Sequence, residues 1–86
     1  MIVNLDSFIA GERPYWEELE RWLEKAERDA LRTPDLAEMR RFYYLYRRAA
    51  SGLTRLRGLA VETEVPQYLE GLVARAYAEI HETRRT

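Results

Sequence analysis

Apolar residues recur along the chain at intervals of three and four, which is the repeat of one face of an α-helix. Three segments carry this repeat, over residues 4–31, 34–60 and 65–83. No segment alternates with the period of two that a half-buried β-strand shows. The pattern therefore predicts an all-α chain of three helices. The predicted inward-facing stripes are Leu5, Phe8, Glu12, Tyr15, Leu19, Trp22, Leu23, Ala26 and Ala30; Met39, Phe42, Tyr43, Tyr46, Ala49, Ala50, Leu53, Leu56 and Ala60; and Val65, Leu69, Leu72, Val73, Ala76 and Ile80.

Residues with known preferences for helix ends mark the boundaries. Asn4 or Asp6 can cap the first helix, and Thr33 followed by Pro34 predicts an N-cap and a first helical residue for the second. Pro14 lies inside the first helix and has no amide hydrogen, so it predicts a kink or a break there. Helices joined by short loops pack as antiparallel neighbours. The predicted fold is an up-down-up three-helix bundle with helix one kinked near Pro14.

Length and composition narrow the class of protein. The 86 residues make one domain, and a 47% hydrophobic content is typical of a folded chain. The absence of cysteine excludes disulfides and thiolate chemistry. No apolar run approaches the roughly 18 residues of a membrane-spanning helix, and the first residues lack the features of a signal peptide. The sequence as given therefore predicts a domain that neither spans a membrane nor is exported.

Charge is distributed unevenly over a chain whose net charge is −1. Residues 1–31 hold eight acids and four bases, residues 32–60 two acids and seven bases, and residues 61–86 five acids and three bases, which gives −4, +5 and −2. A basic middle helix between two acidic helices favours this packing over alternatives. Pairing between helices is thus the simplest explanation of the pattern.

The second helix carries the candidate partner surface. At 100° per residue, five arginines fall within an arc of about 120°, and a tyrosine lies in the middle of that arc, where arginines one turn away can stack on it. Such a face suits an anionic partner: acidic lipid headgroups, a phosphorylated protein or nucleic acid. The structural alternative is a solvated face that pairs with acids on helices one and three. The candidate residues are Arg40, Arg41, Tyr44, Arg47, Arg48 and Arg55, with Arg40 and Arg48 as the stacking pair.

Other polar residues give little support for catalysis. Glu12 falls on the apolar stripe of the first helix, where a carboxylate needs a partner, so we expect a hydrogen bond or ion pair near Pro14. His81 is the only histidine and has no second metal ligand at useful spacing. Ser7 and Ser51 have no histidine nearby. We therefore expect no catalytic residues, no metal, no cofactor and no small-molecule substrate.

The aromatic residues divide into two groups by position. Four lie on the stripes and are expected to pack in the core: Phe8, Trp22, Phe42 and Tyr46. Four lie at or beyond the stripe edges, where they can either pack at the rim or contribute to a partner surface. These are Trp16, Tyr44, Tyr68 and Tyr77.

Three blocks of sequence, in order, resemble a known family. They are residues 8–20 (FIAGERPYWEELE), residues 45–57 (LYRRAASGLTRLR) and residues 68–81 (YLEGLVARAYAEIH). The chain is similar in these blocks to the N-terminal cytosolic region of stage II sporulation protein M-like membrane proteins. One departure is Gly52, where the resemblance implies an acidic residue.

The resemblance implies a role as well as a location. Family members are integral membrane proteins with a soluble helical head and several hydrophobic spans, and in spore formers they act as scaffolds during engulfment. The chain is then expected to be a cytosolic head on the cytoplasmic side of the bacterial membrane, mediating association with a protein partner or with itself. The alternative function is a small helical protein that binds anionic membrane or, less favoured, nucleic acid through the arginine face.

Overall fold

Three helices pack against one another in the computed structural model. The structure describes residues 4–29, 31–59 and 63–83, with the side chains of residues 82 and 83 excepted. The helices are α1 (Leu5–Arg28), α2 (Leu36–Gly58) and α3 (Val65–Thr83), and each contacts the other two. The described residues contain no β-strand. The all-α three-helix bundle that the periodicity predicts is confirmed.

Helix α1 begins where its sequence predicts and continues through its proline. The Asn4 side chain accepts a hydrogen bond from the Ser7 amide at 3.0 Å, so Asn4 is the N-cap. Pro14 lies on the exposed side of an unbroken helix of 24 residues. Breakage at Pro14 is therefore a wrong expectation, because packing of Phe8 before it and of Trp16 and Leu19 after it holds both halves on the core. The kink stays a prediction.

The start of helix α2 differs from the sequence-based expectation by two residues. Asp35, not Thr33, is the N-cap: its carboxylate accepts from the Glu38 amide at 2.8 Å, and the Glu38 carboxylate accepts from the Asp35 amide at 3.1 Å. This reciprocal pair satisfies two amides that a helix start would leave unbonded. Thr33 and Pro34 lie in the connection before the helix. A capping box that uses both side chains and both amides prevails over a lone hydroxyl followed by proline.

The hydrophobic core contains side chains from all three helices. Its largest member is Trp16, which is fully buried, so both alternatives for this residue, packing at the rim and a partner surface, are wrong. Helix α2 is rotated from the predicted stripe: Leu45 and Gly52 are buried, whereas Met39 and Tyr43 are 42% and 49% exposed. Ala30 and Ala60 fall outside the described residues. The core residues are Trp16, Leu19, Leu23, Leu45, Ala49, Leu53, Leu56, Leu69, Leu72 and Ala76.

A glycine faces the central tryptophan. A Cβ atom at Gly52 would lie 3.6 Å from Cζ2 of Trp16 and 3.8 Å from Cζ of Phe8, which is ordinary van der Waals contact. The Trp16 indole nitrogen is buried and has no hydrogen-bond partner among the described residues. An acidic side chain at position 52, which the family resemblance implies, would place its Cβ atom against these two aromatic rings.

Polar contacts between helices define the direction of each helix. Glu12 of α1 contacts Arg48 of α2, and Glu18 contacts Arg41. Residue numbers therefore increase along α1 while those of the contacting residues decrease along α2. Between α1 and α3, Glu20 contacts Tyr68 and Glu27 contacts Arg75, so the residue numbers increase in the same direction along both helices. Helix α1 is therefore antiparallel to α2 and parallel to α3, as an up-down-up bundle requires.

Candidate binding groove on helix α2

An open groove of about 540 Å³ runs between the first half of α1 and the outer face of α2. Helix α1 contributes Phe8 and Glu12, and helix α2 contributes all the other lining residues. Five of the six predicted site residues line the groove, and Arg41 does not. The lining consists of Phe8, Glu12, Arg40, Tyr43, Tyr44, Arg47, Arg48, Ser51, Gly52 and Arg55.

Arg48 donates hydrogen bonds to side chains of its own domain. Its Nε and Nη2 donate to the two carboxylate oxygens of Glu12 at 2.8 and 2.7 Å, and its Nη1 donates to the Tyr44 hydroxyl at 2.9 Å. The guanidinium carbon lies 4.0 Å from the centroid of the Tyr15 ring. The hydrogen bond to Glu12 raises the pKa of Arg48. The expected partner for Glu12 is confirmed, and Arg48 lies in the groove wall as a structural residue.

Arg41 is also paired with helix α1. Its Nε and Nη2 donate to the Glu18 carboxylate at 2.8 and 2.7 Å, and these bonds are the main reason why the pKa of Glu18 falls to about 2. The Trp22 indole nitrogen donates to the same carboxylate at 3.2 Å. The Arg41 guanidinium carbon lies 5.3 Å from the Tyr44 ring centroid. Tyr44 is therefore flanked by Arg41 and Arg48, and the expectation of Arg40 in that position is wrong.

The remaining three arginines of the face have no carboxylate partner in the part of the chain that the structure describes. Arg40 lines the groove, Arg47 lies with its guanidinium carbon 5.9 Å from the Tyr43 ring, and Arg55 lies 4.8 Å from the Phe8 ring. Contacts with neutral rings leave the positive charge uncompensated. The arginine face thus consists of two arginines paired with α1 and three cations that line the groove.

The edge aromatics have different environments. Tyr44 is 42% exposed in the groove wall. Tyr68 donates from its hydroxyl to Glu20 at 2.6 Å and ties α3 to α1, and burial followed by this hydrogen bond raises its pKa. Tyr77 is 53% exposed on α3, with its ring 4.1 Å from His81. Of the four edge aromatics, Tyr44 is therefore the one that lines the groove.

Sequence reasoning missed Tyr43 as a groove residue. The apolar stripe assigned this side chain to the core, but it is 49% exposed and lines the groove. A signal was present in the sequence. Tyr43 follows Arg40 by three residues and precedes Arg47 by four, which is the spacing of neighbours on one helix face.

The groove offers a defined set of binding groups. Guanidinium N–H donors, phenol and serine hydroxyls and aromatic faces surround one open space. Guanidinium groups match the planar geometry of carboxylate and phosphate and bind these anions with two hydrogen bonds. Among the described residues, no three or more histidine, cysteine, aspartate or glutamate side chains are grouped so that they could hold a metal ion. None of the described helices has a stretch long and apolar enough to cross a membrane.

The fold and the groove define a small α-helical domain with an arginine-lined groove. The chain belongs to the family of domains of unknown function DUF8413, whose model matches residues 6–82. No curated protein and no solved structure matches the chain. The description of the family assigns no activity, so function is argued from the groove.

Proposed function

We propose that the domain is a non-catalytic interaction module that binds an acidic segment of a partner protein in the groove on α2. The observation that carries the proposal is the presence of Arg40, Arg47 and Arg55 in one groove without a carboxylate partner among the described residues. Cations without a carboxylate partner in the described part of the chain are available to an anion from another molecule. Carboxylates on a protein segment supply that charge together with apolar groups.

The shape of the surface favours a protein segment over a membrane or nucleic acid. Phe8, Tyr43 and Tyr44 line the groove, so aromatic rings and cations are available together to one inserted side chain. A bilayer surface is broad and contacts ridges rather than the floor of a groove. Nucleic acid affinity rests on the number of phosphates neutralised, and three free arginines in a chain of net charge −1 neutralise few.

The direct test removes the three charges and keeps most of the side-chain volume. The variant carries Arg40→Gln, Arg47→Gln and Arg55→Gln, and its matched control carries Arg13→Gln, Arg21→Gln and Arg28→Gln on the exposed side of α1. Both variants lose three positive charges. The probes are a fluorescein-labelled peptide of alanine, glutamate and leucine, vesicles of phosphatidylglycerol, and a single-stranded 20-mer DNA.

The expected result is peptide binding that the groove variant loses and the control variant keeps. Equal loss in both variants would mean that net charge, not the groove, holds the peptide, and the proposal would be wrong. Binding to vesicles or DNA without binding to the peptide would contradict a protein partner and indicate a membrane or nucleic acid instead. Circular dichroism on both variants separates loss of binding from loss of helix.

The proposal extends to the location of the module. We infer that it acts on the cytoplasmic side of a bacterial membrane, as the head of a membrane protein, and the support is the resemblance to stage II sporulation protein M-like proteins. Reading the gene beyond codon 86 in the same frame tests this point. Several hydrophobic spans would support the membrane head. An immediate stop codon would contradict it and leave a free helical adaptor.

A further inference from the structure

We infer that the partner segment is an amphipathic helix that lies along α2, with acidic residues seven or eight positions apart. This inference rests on the proposed function and specifies the partner of the same groove. The acids face Arg40, Arg47 and Arg55, and apolar side chains of the partner cover the exposed apolar residues at the first half of α2. The domain then becomes three helices of a four-helix arrangement.

The spacing of the free arginines carries the first step. Arg47 follows Arg40 by seven residues and Arg55 follows Arg47 by eight, so the three lie on one side of α2. At a rise of about 1.5 Å per residue, these intervals are roughly 10 and 12 Å along the axis, and the row is roughly 22 Å long. A second helix aligned with α2 repeats the same face every seven residues, so its acids can meet all three cations.

Exposed apolar residues carry the second step. Leu36, Met39 and Tyr43 are 58%, 42% and 49% exposed, and they follow one another at intervals of three and four. This is the spacing at which a helix offers side chains to a packed neighbour. The three lie in the first half of α2 together with Arg40, whereas Arg47 is the middle residue of the helix and Arg55 lies in the second half. The partner helix therefore carries acids along its length and additional apolar residues at the end that faces the start of α2.

Like charge excludes a second copy of α2 as the occupant. In an antiparallel pair of α2 helices, Arg40 of one copy would approach Arg55 of the other, and Arg47 would face its own counterpart. The only acid of α2 is Glu38, and it is paired with Arg32. Such a pair would bring cations together without compensation. The occupant is therefore not α2 of a second copy but a helix that carries acids.

Three peptides of identical composition test the inference. Each has 18 residues rich in alanine, glutamate and leucine. The first has glutamates at seven-residue intervals on one face, with leucines at one end of that face. The second has the same residues scrambled around the helix. All three peptides contain one proline, which is at the end of the first peptide. In the third peptide this proline exchanges places with the central alanine, and the rest of the order is kept. Proline in the centre breaks the helix. Fluorescence anisotropy of labelled peptides gives the Kd values.

The first peptide is expected to bind at least tenfold more tightly than the other two, and Tyr43→Ser is expected to weaken it more than Tyr77→Ser, a tyrosine of similar exposure on α3. Equal binding of all three peptides, lost in the triple glutamine variant of the groove, would overturn the helix and leave the proposed function intact. Binding that persists in that variant would overturn both. Failure of the first peptide to bind would overturn the helix.

Discussion

Arg48 on α2 uses all three of its guanidinium nitrogens within the domain, and two of them bind Glu12 of α1 at 2.7 and 2.8 Å. The Glu12 side chain is only 15% exposed, so without Arg48 its carboxylate would lose two hydrogen-bond donors at a largely buried position. The Tyr15 ring covers one face of the guanidinium group, and Tyr44 holds the third nitrogen. The pair therefore aligns α1 with α2 beneath the groove.

Removal of Arg48 is expected to destabilise the fold. Arg48→Met keeps the apolar stem but leaves the Glu12 carboxylate without its two donors, and we expect the free energy of unfolding to fall by about 1–2 kcal/mol. Urea denaturation measures the change, with Arg13→Met as a control at an exposed position. A double-mutant cycle with Glu12→Gln should show coupling between the two sites. An Arg48→Met variant as stable as the control would show that the pair contributes nothing.

The Glu18–Arg41 pair predicts loss of stability in acid. The pKa of Glu18 in the folded chain is about 2, below its ordinary value of 4.5, mainly because Arg41 donates to the carboxylate. The Glu18 carboxyl group therefore binds a proton less tightly in the folded state than in the unfolded state. The resulting stabilisation is complete above pH 4.5 and disappears as the pH falls to about 2.

Thermal unfolding of an Arg41→Gln variant tests this dependence. Its Tm should lie below that of the unchanged protein at pH 7, and the two values should converge as the pH falls from 4.5 to about 2. Arg40→Gln is the control, because Arg40 has no carboxylate partner among the described residues, and its Tm difference should not follow this pH profile. Parallel Tm curves for Arg41→Gln and the unchanged protein would contradict the assignment.

Gly52 offers a stabilising substitution. An alanine methyl group there would meet Trp16 and Phe8 at 3.6 and 3.8 Å, which is normal contact, and alanine favours a helix interior by about 1 kcal/mol over glycine. We expect Gly52→Ala to raise the free energy of unfolding by about that amount. Gly71→Ala on α3 is the matched control, because a methyl group there meets nothing within 4 Å.

Urea denaturation of both glycine variants separates propensity from packing. Equal gains would mean that helix propensity alone acts at Gly52, and a larger gain at Gly52 would add the contact with Trp16. A loss at Gly52 together with a gain at Gly71 would show that Trp16 has no room for the methyl group.

The start of α2 gives a prediction about capping. Asp35→Ala removes the side-chain acceptor for the Glu38 amide, and loss of an N-cap costs about 1 kcal/mol. Thr33→Ala removes the residue that the sequence pattern favours as the cap but that the structure leaves in the connection. The Thr33 variant should stay within about 0.5 kcal/mol of the unchanged protein. A larger effect at Thr33 than at Asp35 would show that the helix begins earlier.

The sequence predicts the helices well because their signals are local. Stripes of apolar residues, Asn4 and the clusters of charge all act within a few residues of one another. The sequence did not predict which face of α2 is buried, because that face is determined by simultaneous packing against α1 and α3. Trp16 illustrates the difference: it lies at the edge of a stripe in the sequence but at the centre of the core, opposite a glycine from another helix.

The candidate site was predicted in outline for the same reason. An arc of arginines is visible from helical spacing alone, and five of its six named residues line one groove. Which arginines are free depends on acids that lie 23 and 36 residues away in the sequence. Sequence spacing carries no signal for such pairs. Arg41 and Arg48 bind α1, whereas the other three arginines have no carboxylate partner within residues 4–29, 31–59 and 63–83, and this division required the packed structure.

Helix α1 supplies an acid to each of four long-range polar contacts, two with α2 and two with α3. Each contact is compatible with one alignment of the helices. A backbone cut between Asp29 and Asp35 would leave all four contacts intact. The separated α1 peptide and the α2–α3 fragment would then carry enough information to reassemble in the native alignment, which makes this domain suited to complementation from two fragments.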